Sequence, residues 1–364
     1  MFFAKAENHL DSFTKEITRR FKMDLKNNQK LERFDLFKLH DPHIDVRPKS
    51  WICAGGENLK SKLFELLNEI CDTKRVSKSS IMRSIARNLG CCFSNIKRTM
   101  YIRKIFSLPI IMELLDLWST KLNRSEMELI DKKKELQDSI ETLKSNSSLA
   151  RPVKAVKRLS IDIAKICGAH AADGWIDRRI FPDGFYGYYF TLRDGDKRSV
   201  IAFRNWIKNE FGIECRINNR YRRCYSIEFL NKIFLRYLHV FFGFPCGKKS
   251  DIVQEPNLIK NSNFELRKAF ALGVMTFDGA VCKDRVELLM RSRSLRDSIF
   301  KIVNLGGIRK IYSTPHPDKL DRWRLYSSRS VKNEEFMNWL DYFEQNTNKY
   351  NRLLGIIKRN SYAI

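Results

Sequence analysis

The chain has 364 residues, 43% of them hydrophobic, with 68 Lys and Arg against 42 Asp and Glu and a formal net charge of +26. The apolar content excludes a disordered polycation, and the length predicts two to three domains. The charge points to a polyanion, nucleic acid ahead of a ribosomal or acidic-membrane surface.

Residues 1–150 hold 28 basic and 20 acidic residues, net +8, which leaves net +18 on the remainder. A polyanion is therefore expected mainly on the C-terminal part. The nine cysteines form no CxxC pair and have no histidine at ligand spacing, which argues against structural zinc. Their odd number suggests reduced thiols in a cytoplasm. The N-terminal "MFFAKAENHLDSFTKEITRRF" lacks an apolar signal core. No run of 18 apolar residues exists, so no membrane span is expected.

In chain order, "HLDSFTKEITRRFKMDL" has helical spacing, and Leu59 to Trp118 is helical in pattern throughout. Within it, "IMRSIARNLGCCFSNIKRTM" sets Ala86, Gly90 and Ile96 at the spacing of a helix-turn-helix. Ser94, Asn95, Lys97 and Arg98 would then be exposed on the second helix, the last two as DNA contacts. The alternative is a plain helical packing unit. Residues 121–148 are charged, with a thin stripe of Leu129, Leu136, Ile140 and Leu143. They predict a solvated connector helix fading into Ser and Asn before a domain boundary at Arg151-Pro152. The front domain, 1–150, is thus expected to be mainly α-helical.

After Pro152 the pattern changes and then repeats. A helix over 158–174 precedes "FYGYYFTLRD", the helix "KRSVIAFRNWIKNEFG", two strand-like runs "IECRINNRY" and "RCYSIEFLN", and the helix "IFLRYLHVFFGF". From Phe264 a helix precedes "GAVCKD", "RVELLMRS", the helix "LRDSIFKIVNLGG", "IRKIYSTP", "DRWRLYSS" and a long helix from Asn333. A duplicated unit explains this, with repeats at 151–262 and 263–364.

The two leading helices align without gaps as "ICGAHAADG" and "ALGVMTFDG", matching Gly168 with Gly273 and Asp173 with Asp278. Small residues allow two backbones to approach closely. Gly174 and Gly279 suit the left-handed conformation that ends a helix. Side-by-side packing would bring Asp173 and Asp278 together at the negative helix ends, where carboxylates are unfavourable. A divalent cation would repair this, and two carboxylates with water and phosphate oxygens suit Mg²⁺.

These two segments resemble the paired motifs of the LAGLIDADG (DOD-type) homing endonucleases, in the single-chain form with two motif copies. The resemblance spans about residues 155–360 and implies an α+β fold. Tandem αββαββα repeats would form a pseudo-symmetric saddle of two sheets over double-stranded DNA, with the motif helices at its centre. It implies that Asp173 and Asp278 hold Mg²⁺ or Mn²⁺ and hydrolyse phosphodiester bonds at a specific site. His170, Ala171 and Ala172 depart from the family pattern, and His170 is expected as a hydrogen-bonded core histidine. "FGFPCGKKSDIVQEP" resembles the family segment that supplies a basic active-site residue, which nominates Lys248 and Lys249; "LLGIIKRN" nominates Lys358 in the second repeat. Each could instead be a solvated lysine or a phosphate contact.

The strand runs interleave aromatics with cations. Arg216, Asn218, Arg220, Arg222, Arg291, Arg309 and Arg324 are candidates for groove or phosphate contacts. The ends, Met1 and "RNSYAI", lack an intein's splicing residues, so a freestanding chain is expected rather than a self-splicing one; a monomer is expected as well. A non-cleaving transcription regulator of the same fold, and an RNA maturase with intron RNA as partner, are the alternatives.

Overall fold

The computed structural model describes residues 33–146, 150–180, 186–221, 224–317, 319–327 and 333–362. The helix expected within 9–25 lies outside them. The architecture is α+β, with three four-stranded antiparallel sheets. No helix among the described residues is long and apolar enough to cross a membrane.

The front domain carries a sheet beside its expected helices. Strand β1 (Ile52–Gly55) precedes helices α1 (Glu57–Lys74), α2 (Lys78–Asn88) and α3 (Phe93–Tyr101). Then come β2 (Ile105–Ser107), α4 (Leu108–Leu122), α5 (Glu126–Asp138), β3 (Thr142–Ser145) and β4 (Val153–Lys154), and the strands make one sheet in the order β2-β1-β3-β4. Helices make up most of the domain, and the short strands add a sheet that was not expected. The expected connector over 121–148 breaks at Asn123, which has a φ of 54°. Helix α5 restarts on a Ser125–Glu128 capping box, and Thr142–Ser145 is strand. Leu136, Ile140 and Leu143 are fully buried, so the thin stripe feeds a core. The boundary also moves: β4, beyond Pro152, pairs with β3.

The first repeat runs α6 (Ile161–Ala172), β5 (Trp175–Ile180), β6 (Tyr186–Asp194), α7 (Lys197–Phe211), β7 (Ile217–Tyr221), β8 (Cys224–Leu230) and α8 (Lys232–Arg236), continued by a π-helical turn, Tyr237–Phe241. A short α9 (Asn257–Lys260) leads into the second: α10 (Phe264–Asp278), β9 (Gly279–Val281), β10 (Val286–Met290), α11 (Arg293–Leu305), β11 (Ile311–His316), β12 (Lys319–Ser327), α12 (Asn333–Phe343) and α13 (Thr347–Tyr362). The sheets are ordered β5-β6-β8-β7 and β9-β10-β12-β11, so each repeat has its first, second, fourth and third strands side by side. Alternation along β10 buries Val286, Leu288 and Met290 and turns Glu287 to the other face.

Front domain and first repeat are joined by an ionic cluster. Asp45, essentially inaccessible, accepts from Lys232 and from Arg236 at 3.2 Å. Lys232 also donates to the Ser50 carbonyl, and the Tyr237 hydroxyl donates to that of Val156 at 2.7 Å. Phe34 stacks on Phe241 at 4.8 Å. Burial pushes the Asp45 carboxyl up, but His40, Lys232 and Arg236 outweigh it and hold it below its ordinary range.

Candidate active site

Helices α6 and α10 pack at backbone contact. A Cβ on Gly168 would lie 2.0 Å from the Phe270 carbonyl oxygen, and one on Gly273 would lie 2.3 Å from that of Lys165. The Val274 amide lies 2.9 Å from the first position and the Ala169 amide 2.8 Å from the second. Only glycine permits this approach.

Gly174 and Gly279 have a different role from the one expected. Neither is left-handed; Gly279 has a φ of −64°. Each lacks room for a side chain. A Cβ on Gly174 would stand 2.4 Å from His170 Nδ1, and one on Gly279 would stand 2.5 Å from the Met275 carbonyl oxygen. The chain turns from helix into strand against its own last helical turn.

The seam brings the two helix C-termini together, and with them Asp173 and Asp278, whose carboxyls are within hydrogen-bonding reach. Asp173 is open on its outer side and Asp278 is half-buried. Burial and the Asp173 charge raise Asp278 to about 7, against the pull of Lys249 and Lys349. Burial also raises Asp173, while the two lysines and the hydrogen bond from Asp278 oppose it. Two acids this close behave as a pair holding one proton between them.

Each helix end carries one lysine. Lys249 Nζ donates to the Ala171 and Ala172 carbonyls at 2.8 and 2.7 Å. Lys349 Nζ donates to those of Thr276 and Phe277, both at 2.7 Å. An ammonium on the last carbonyls offsets the negative end of the helix dipole. It thereby answers the placement of carboxylates there. Burial lowers Lys249 to about 8, although both aspartates favour its charge; burial lowers Lys349 as well, against Asp194, Asp278 and Asp173.

Of the lysines nominated from sequence, Lys249 alone reaches this site. Lys248 is exposed and pairs with Asp251 at 3.0 Å. Lys358 is exposed on α13, nine residues beyond Lys349 and about 13.5 Å further along the helix. Sequence reasoning missed Lys349. Its signal was spacing: Lys249 follows Asp173 by 76 residues, and Asp278 is followed at 71 by Lys349 and at 80 by Lys358, too even a contest to decide. It also missed Asp194, at the end of β6, which burial raises to about 6, with Asp173 adding to the rise. The matching place before α11 is Met290, so the third carboxylate has no twin.

His170 is fully buried, its ring 4.5 Å from that of Phe244 and 5.8 Å from that of Phe190. It lies in the expected apolar layer, but neither ring nitrogen has a hydrogen-bond partner among the described residues. Burial holds it well below its ordinary pKa, hence neutral.

The strand candidates divide. Arg216 and Arg309 are exposed and Asn218 is half-exposed on β7. Arg291 pairs with Asp321 at 3.0 Å. Arg324 pairs with Glu287 and covers the Tyr326 ring at 4.5 Å, so part of its charge is already satisfied. Arg220 lies on β7, and Arg222 lies outside the described residues.

Among the described residues no group of three or more His, Cys, Asp and Glu is arranged to hold an ion. The donor set on offer is the Asp173–Asp278 pair. Its mutual repulsion fits a hard divalent cation, with water and phosphate oxygens completing the shell.

No protein-family model matches the chain, and no curated protein matches it. Solved structures do. They include mesophilic variants of the homing endonuclease I-DmoI, at 12% identity over 50% of this chain and 95% of that one, TM-score 0.38. The LAGLIDADG meganuclease I-AabMI bound to uncleaved DNA is similar at 11% identity over 54% and 89%, TM-score 0.33. Full-length DUF199/WhiA from Thermatoga maritima is similar at 11% over 54% and 60%, TM-score 0.33.

Proposed function

We propose that the chain is a site-specific, metal-dependent endonuclease of double-stranded DNA, of the LAGLIDADG kind, using Asp173 and Asp278 as its metal-holding pair. The observation that carries this is the meeting of two carboxylates at two helix ends, each helix end held by its own lysine. The motif resemblance of the two segments and the +18 charge after residue 150 support the same reading.

Mg²⁺ or Mn²⁺ at the pair would supply Lewis acidity and lower the pKa of a bound water. Asp173 and Asp278 give up their shared proton and present hard oxygens. Lys249 and Lys349 stand beside the two carboxylates, where an ammonium can orient an attacking water or stabilise charge on a leaving oxygen. The two helix ends, each with one aspartate and one lysine, suit two strand cuts. Arg216, Asn218, Arg220, Arg222, Arg291 and Arg309 serve the DNA face in this reading, with Arg324 positioned through Glu287.

The test is incubation with a library of duplex targets and Mg²⁺, with sequencing of the cut ends. Asp173→Asn and Asp278→Asn, singly and together, should abolish cutting and leave duplex binding intact. Normal cutting by the double variant would refute the assignment; specific binding by the unaltered chain with no cutting would turn the reading to a regulator.

A further inference from the structure

We infer that α2 and α3 of the front domain form a second, independent duplex-DNA site, with α3 entering the major groove. The inference goes beyond the nuclease reading and does not depend on it.

The two helices are joined by a turn of the right chemistry. Gly90 has a φ of 59° with no atom within 4 Å of where its Cβ would stand. It is needed for conformation and not for space. The Cys91 amide closes the end of α2 by donating to the Ala86 carbonyl at 2.9 Å. Ala86 and Ile96 are buried where the helices meet, with Ile81, Met82, Ile85 and Met100 forming the floor. The buried side of α3 is thus Ile96, Thr99 and Met100, and Ser94, Asn95, Lys97 and Arg98 are exposed.

The charge of this surface is one-sided. From Thr73 to Met112 the chain carries nine Lys and Arg and no Asp or Glu. All nine are exposed, and none forms an ion pair among the described residues. Lys78 and Arg83 lie over the Phe64 and Phe93 rings at 5.9 and 5.4 Å, but no carboxylate among the described residues neutralises any of the nine, and their mutual repulsion is unfavourable. A polyanion relieves it and gains affinity through counterion release.

Shape selects among polyanions. A nine-residue helix standing on a compact support fits the roughly 12 Å wide major groove of B-form DNA. The deep, narrow major groove of A-form RNA does not admit it. Asn95 and Arg98 carry the side chains that read adenine and guanine edges, while Lys97 and the α2 cations Arg83 and Arg87 suit the flanking phosphates.

The experiment uses the full chain and a long mixed-sequence DNA duplex in EDTA, so cleavage plays no part. Removing two phosphate or base contacts with Lys97→Ala/Arg98→Ala should reduce the slope of log affinity against log salt by roughly 2, about 0.9 per contact. Cys92, exposed at the start of α3, provides a readout without substitution: maleimide labelling there, located by mass spectrometry, should slow on adding the DNA duplex. An unchanged slope with unchanged Cys92 labelling overturns the proposal. So does a slope change or protection seen with an RNA duplex and absent with DNA. Failure of the Asp173 and Asp278 variants to affect cutting would leave these outcomes untouched, so the two readings fail separately.

Discussion

Asp278 is where the competing forces of the site meet. Burial and the neighbouring Asp173 lift its carboxyl to about 7. Between the ordinary carboxylate value and about 7, the folded, metal-free chain therefore keeps a proton that the unfolded chain has released. The stabilisation is complete at low pH and is lost as pH rises towards 7. Lys249, lowered to about 8, acts in a separate window above that pH, where its early deprotonation makes stability rise again. Thermal melting in EDTA should show stability falling by ~2 kcal/mol from pH 5 to pH 7. Asp278→Asn should flatten this limb, and saturating Mg²⁺ should reverse it by displacing the proton. A flat profile for the unaltered chain would mean that the carboxylates do not share a proton.

At the scale of elements, the helix end and its lysine form one unit. Lys249 reaches the end of α6 from a loop in which Gly243 and Gly247 are left-handed and the Gly247 amide bonds to the Ile176 carbonyl at 2.8 Å. Lys349 reaches the end of α10 from the first turn of α13. There Asn346 anchors the chain to the Thr276 carbonyl and to Ser199 at 3.2 and 2.9 Å. Lys249→Met and Lys349→Met should each slow single-turnover cutting by about 10²–10³-fold, the size of one lost electrostatic contact in a closed site. Lys248→Ala and Lys358→Ala should stay within a few-fold of the unaltered chain. Equal losses at Lys349 and Lys358 would show that proximity to the aspartates is not what matters.

At the scale of the molecule, Asp45 joins front domain to first repeat through Lys232 and Arg236. Its carboxyl is held below the ordinary range, so its stabilisation is present above that range and is lost as pH falls through its lowered pKa. Asp45→Ala would leave two cations facing a buried gap, which costs about 3–5 kcal/mol. Urea denaturation should show this as a lower midpoint, with the front domain and the repeats unfolding in separate steps. A single step with an unchanged midpoint would mean that the aromatic contacts of Phe34 suffice. A front domain fixed in this way presents α3 at a set distance from the repeats, instead of trailing it on a tether.

The sequence by itself determined the features that depend on local periodicity and backbone chemistry. The doubled helix-strand-strand order is one, since alternation and helical spacing repeat in both halves. The glycine seam at Gly168 and Gly273 is another, since only a missing side chain permits that contact. The turn at Gly90 and the pairing of Asp173 with Asp278 belong with them. What the tertiary structure decided depended on partners distant in the chain. The stripe from Leu136 to Leu143 looked like a solvated connector because its cover, β1 and the helices around it, lies far away in sequence. Gly174 and Gly279 looked left-handed because crowding by His170 and Met275 cannot be read from composition. Lys349 could be told from Lys358 only once α13 was laid beside α10, because the approach of an ammonium to two carbonyls is set by how helices pack.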